Sequence, residues 1–202
     1  MPCNDWLTKG ARSSLAQYLD VLDLETREHS GGVVNLARLL GNHYQLSVEE
    51  QNLLIMAARY HDLGKADPEI SEIIKQPRTP TKEEWDVIRR HARLSGSILD
   101  SFRVDGQVIH LVVAHHEPVI YGGCHLKVLV LLMLADIIQA TTSNRPYRSG
   151  PLGKDKILEE LAQRLGDLLA IVGGTTIFEI LLALLAKSKM DDSSSILGSL
   201  NL

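Results

Sequence analysis

Apolar residues recur along this chain at intervals of three and four, the period of an amphipathic helix, and no stretch alternates for long enough to form a sheet. The pattern predicts helices over Ala11 to Leu24, Glu25 to Leu40, Val48 to Tyr60, Lys82 to Asp100, Gln107 to His115, Leu126 to Thr142, Lys154 to Ile171 and Thr175 to Lys187. Boundary signals support it. Ser47 with Glu50 and Thr81 with Glu84 are capping-box patterns, in which a hydroxyl and a carboxylate satisfy the first free amides of a helix. Gly41-Asn42 ends the second helix, Gly64 is placed to stop the third, and Pro68, Pro77 and Pro80 leave room only for a short helix and a loop. The expected fold class is all-α, a bundle of roughly seven to nine helices.

With 202 residues and 45% hydrophobic content the chain can bury one substantial core, so a single domain is expected. Its core would run from about residue 18 to 148, followed by C-terminal helices over 154–187 and a flexible tail over 188–202. A net charge of -4 gives no basic field for a long nucleic acid. The most apolar runs, Val128 to Ala140 and Ile177 to Ala186, are short and contain Asp136 and Glu179, so they read as buried helices and not membrane spans. Met1 to Lys9 has no basic segment leading into an apolar stretch, and Cys3 and Cys124 are too few for a disulfide framework. A cytoplasmic protein is expected.

Candidate chemistry centres on His61-Asp62, at the end of the apolar run from Leu53 to Ala58. Adjacent imidazole and carboxylate can hold or bridge cations. Glu25 and His29, four residues apart, share a helix face. His115 and His116 cannot both face one side of a helix, so at least one leaves the apolar surface. Asp136 interrupts a helix otherwise nearly all apolar, where an unpaired carboxylate is expensive and a cation would satisfy it. Singly, each of these residues is more simply a capping, packing or surface group. Together with His91 they form an ordered set that points to a metal site, while His43, His110 and His125 have no comparable context. Other catalytic signatures are absent: Gly153-Lys154 lacks the Ser or Thr of a phosphate-binding loop, and no Gly-x-Ser-x-Gly elbow occurs.

The run from Tyr18 to about Arg148 resembles an HD-GYP domain, a branch of the HD phosphohydrolase superfamily. The resemblance lies in Glu25 and His29, in His61-Asp62-Leu63-Gly64-Lys65, in His91 with Ser95-Gly96-Ser97-Ile98-Leu99, in His115-His116-Glu117, in Asp136 and in Thr142-Ser143-Asn144-Arg145-Pro146-Tyr147-Arg148. It implies an HD-domain helical bundle that hydrolyses cyclic di-GMP or a related nucleotide with two or three divalent ions, iron or manganese, with zinc, nickel or magnesium also compatible. By position, His29, His61, Asp62 and Asp136 would hold one ion, Asp62 would bridge to another held by His91 and His115, and Glu25 and His116 would serve a third. Lys65 would clamp a phosphate, and Arg145 and Arg148 would contact the ligand's phosphates.

One departure stands out. Where the family has a glycine-rich loop containing Gly-Tyr-Pro, this chain has Pro118-Val119-Ile120-Tyr121-Gly122-Gly123, so the loop is shortened and the tripeptide lost. That leaves two alternatives open: another HD-superfamily phosphohydrolase or nuclease acting on nucleotides or single-stranded DNA, and a signalling module without turnover. HD-GYP domains often follow a sensor domain. With only some two dozen residues before Glu25, control by a separate regulatory protein, a homodimer or metal supply is expected.

Overall fold

The computed structural model describes residues 15, 17–116, 125–143, 150, 152–166 and 168. Among them every regular element is helical. The chain divides into two compact units, Met1–Pro151 and Leu152–Leu202.

In the first unit a short helical stretch over residues 17–21 bends at Leu22, and Asp23 then caps helix α1 (Leu24–His43), its carboxylate accepting from the Thr26 amide at 2.9 Å. Helix α2 (Val48–Tyr60) opens with both arms of the Ser47–Glu50 capping box, at 2.9 and 3.2 Å. A 3-10 turn (Leu63–Ala66) and a short helix α3 (Pro68–Ile74) follow. Next come α4 (Lys82–Arg89), α5 (His91–Ser101), α6 (Gly106–Ala114) and α7 (Leu126–Thr142).

Helix α7 is the axis of this unit. It is buried on every side from Val128 to Ile138 and packs against α1, α2 and α6, which explains a sequence apolar all round. Helix α1 faces α2 and α7 with His29, Val33, Leu36, Ala37 and Leu40, a stripe at helical spacing. Helix α5 packs against α6 and the 3-10 turn, closing one end of the bundle. In the second unit, α8 (Lys154–Leu165) buries Ile157, Leu161 and Leu165 at four-residue spacing and ends at Gly166, with φ of 43°.

The expected single helix over Lys82 to Asp100 is two helices, divided at Arg90. The Ile88 carbonyl there takes a hydrogen bond at 2.5 Å from the His91 ring, which competes with the backbone ladder. The expected helix over Lys154 to Ile171 closes earlier, at Leu165. Thr175 to Lys187, the tail, the loop over residues 117–124 and both Arg145 and Arg148 lie outside the described residues.

Candidate metal centre

Three histidines stand at or beside helix ends in the same pose. The Nδ1 of His61 lies 2.9 Å from the Ala58 carbonyl, that of His91 2.5 Å from Ile88 and that of His115 2.5 Å from Val112. A carbonyl oxygen can only accept, so each Nδ1 carries the proton and donates. The opposite nitrogen, Nε2, is left with a bare lone pair. Such carbonyl bonds fix both the tautomer and the direction of a metal-binding imidazole.

These Nε2 atoms converge. His91 Nε2 lies 3.4 Å from His115 Nε2 and 3.2 Å from His116 Nε2. His61 Nε2 is buried and has no hydrogen-bond partner. His29 Nε2 is 3.0 Å from Asp136 Oδ1, and His61 Nε2 is 3.8 Å from the same oxygen. Three groups each bring three ligand atoms within 4.8 Å of one another: His29, His61 and Asp136; His61, Asp62 and His115; and His91, His115 and His116. Asp62 sits between the outer two. Its Oδ1 lies 3.1 Å from His91, while its Oδ2 lies 3.3 Å from His61, 3.7 Å from His29 and 2.7 Å from Lys65 Nζ.

Burial and charge sharpen this arrangement. His29, His61, Asp62, His91, His115 and Asp136 are each no more than 6% exposed. Burial holds His115 well below the usual histidine range, helped by the crowding of His116, His61 and His91 around it. His29 is also lowered by burial, against the pull of Asp136. For His61 burial is outweighed by the Asp62 and Asp136 charges, and the net shift is upward. Burial would raise Asp62, but the neighbouring His61 and Lys65 hold it well below the usual carboxylate range. Asp136 is held low likewise, by its bond to His29 and by the neighbouring imidazoles. The centre therefore combines two ionised carboxylates with converging imidazole nitrogens. Mixed nitrogen and oxygen ligation of this kind fits a first-row divalent metal.

Gly64 has a different task from the helix stop expected of it. A Cβ there would come within 2.2 Å of the His91 carbonyl oxygen and 2.8 Å of Leu94 Cβ, so glycine lets the turn carrying His61 and Asp62 press against α5. Gly64→Ala is expected to cost about 1–3 kcal/mol, the range for overpacking a filled site. Thermal unfolding checks it, and an unchanged midpoint would contradict the close approach.

Of the residues singled out in the sequence, the structure brings His29, His61, Asp62, His91, His115, His116 and Asp136 together, with Lys65 on Asp62. Glu25 lies half-buried in the first turn of α1 and joins none of the three groups. Ser95, which the sequence offered only as part of the run after His91 and not as a site residue, is fully buried against the His61-Asp62 turn. Its sequence signals are its place in that run and its position one helical turn after His91.

The chain is similar to several cyclic dinucleotide enzymes. It is 29% identical over 143 residues to the 3'3'-cGAMP-specific phosphodiesterase 1 of Vibrio cholerae, covering 66% of this chain and 33% of that protein. It is 29% identical over 146 residues to the cyclic di-GMP phosphodiesterase response regulator RpfG of Xanthomonas campestris, covering 67% and 38%. To the cyclic di-GMP phosphodiesterase PA4108 of Pseudomonas aeruginosa it is 28% identical over 144 residues, covering 65% and 34%. It thus spans little more than a third of the length of these curated relatives. No solved structure matches it. The profile of the HD domain matches residues 26–141, a span that begins before His29 and closes after Asp136 and so takes in the whole converging set. On that match the chain belongs to the HD domain family.

Proposed function

We propose that the chain is a metal-dependent phosphodiesterase that hydrolyses a cyclic dinucleotide, cyclic di-GMP or a close chemical relative. The observation that carries this reading is Asp62, a buried carboxylate whose two oxygens face different imidazoles, with Lys65 on one of them. The names of the similar proteins favour a cyclic dinucleotide over other phosphate esters.

On this reading His29, His61, Asp62 and Asp136 hold one ion, and Asp62, His91 and His115 hold a second. His116 completes the second group or, with Glu25, serves a third. The mixed imidazole and carboxylate donors suit iron, manganese or zinc, and the family resemblance favours the first two. Ions bound there supply Lewis acidity to the phosphate oxygens and lower the pKa of water. The chain's own residues do the remainder. Helix-end carbonyls keep His61, His91 and His115 aimed, so that these imidazoles need no reorganisation when substrate arrives. Lys65, its side chain 17% exposed, stands at the solvent edge of the buried cage, where its ammonium can turn from Asp62 toward a phosphate oxygen. Arg145 and Arg148 would supply guanidinium groups for the ligand's phosphates.

Turnover tests the proposal. Purified protein supplied with manganese or reduced iron is offered cyclic di-GMP, 3'3'-cGAMP, a linear dinucleotide, bis-p-nitrophenyl phosphate and single-stranded DNA. Cleavage of a cyclic dinucleotide in preference to DNA is expected. Metal demonstrably bound with no hydrolysis of any of them would overturn the enzymatic reading.

Metal also couples to folding, because the unfolded chain cannot assemble this donor set. With free metal at a hundred times its dissociation constant, the native state gains about 2.7 kcal/mol. For a domain of this size that is roughly 5–10 °C in midpoint. Calorimetry before and after chelation checks it, and equal midpoints would contradict a bound metal.

A further inference from the structure

We infer that Ser95 is a positioning residue for the metal centre: its hydroxyl ties the turn that carries His61 and Asp62 to the helix that carries His91. This rests on the metal-centre reading above. The Ser95 side chain is 0% exposed, and its Oγ makes two hydrogen bonds far along the chain. It donates to the His61 carbonyl at 2.7 Å and accepts from the Gly64 amide at 2.8 Å. Those two groups flank Asp62. They are also the kind of backbone groups a helix end leaves without a partner, since α2 stops at Tyr60 and the next element is a short 3-10 turn.

Other serines of α5 show what a helical hydroxyl does when it has no such task. Ser97 bonds back to the Arg93 carbonyl at 3.1 Å and Ser101 to the Ile98 carbonyl at 2.6 Å, both within their own helix. Ser95 instead reaches another element. One turn before it, His91 Nε2 meets Asp62 Oδ1 at 3.1 Å, so α5 grips the turn twice, once by its backbone and once by its carboxylate. Asp62 itself, at φ -102° and ψ 7°, belongs to no repeating structure, and the regular helix does not hold it there. Without the hydroxyl the two flanking backbone groups seek water or each other, and the Asp62 carboxylate loses its register between the two imidazole groups.

Manganese titration of the chelated protein, followed by electron paramagnetic resonance, tests this in the wild type, Ser95→Ala, Ser95→Cys and Val104→Ala. Val104 is buried outside the centre and serves as a destabilised control. The wild type should show the exchange-coupled signal of two ions sharing a carboxylate. Ser95→Ala should bind about 10–100-fold more weakly, the usual penalty for losing a group that orients metal ligands, and shift toward an isolated-ion signal. Ser95→Cys keeps the size but offers only a weak donor, so it should move in the same direction, and it carries the test should the alanine variant not fold. Val104→Ala should keep the wild-type signal. Wild-type affinity and coupling in both Ser95 variants would overturn the inference, as would an equal loss in Val104→Ala. A wild type that takes up no manganese would instead sink the metal centre itself.

Discussion

Asp62→Ala is expected to strip the bound metal and to lower hydrolysis by more than about a thousand-fold, since the activation of water depends on the ions. Asp62 is the one carboxylate placed between the two outer imidazole groups, with Oδ1 on the His91 side and Oδ2 on the side of His61 and His29. Its removal takes away the carboxylate that pairs with the Lys65 ammonium at 2.7 Å. Truncating a fully buried side chain and unpairing Lys65 both destabilise, so part of the effect will appear as lost stability. Asp62→Asn separates the two contributions. It keeps the shape, removes the charge, and should lose metal and rate with a smaller change in unfolding. Metal content and rate measured on the same samples check both variants, and full metal occupancy in Asp62→Ala would contradict the bridging assignment.

Lys65→Ala should behave in the opposite way. Its ammonium competes for Asp62 Oδ2 at 2.7 Å, so removing it frees a ligand oxygen and leaves metal binding intact or stronger. The rate should nevertheless fall by about 10²–10³-fold, the range for removing one group that stabilises developing charge. At 1.36 kcal/mol per tenfold this is about 3–4 kcal/mol of transition-state stabilisation. The loss should appear in kcat more than in KM, since the ammonium is worth most when charge on the phosphate is greatest. A variant that lost metal together with rate would place Lys65 in the support of Asp62 and not at the substrate.

Much of the fold could be read from local signals because local signals determine it. Val48 to Tyr60 begins at a capping box and Leu126 to Thr142 is apolar over most of its length, and both helices have the predicted bounds. The break at Arg90 could not be read that way. Helical periodicity runs straight through it, and the cause is an imidazole taking a carbonyl from the ladder. Gly64 looked like a helix stop, but its role depends on the His91 carbonyl packed against it, which no local pattern records.

The candidate ligands were legible as residue types that are costly to bury: His61 beside Asp62, and Asp136 inside an apolar helix. Their sorting into groups was less so. His116 stands with His91 and His115, whereas Glu25 stands outside the three groups, a difference set by how α1 and α6 present their ends. The task of Ser95 could not be read because its partners are 31 and 34 residues away in sequence. A serine in a helix ordinarily signals nothing beyond a bond within that helix.

The most direct test of the central claim, a polynuclear centre bridged by Asp62, is metal analysis of protein prepared without chelator, by elemental quantification and anomalous scattering. The prediction is at least two equivalents of iron or manganese per chain, with anomalous peaks on both sides of the Asp62 carboxylate, and their loss in Asp62→Ala. Protein that holds only trace metal even after anaerobic incubation with manganese and ferrous iron would contradict it.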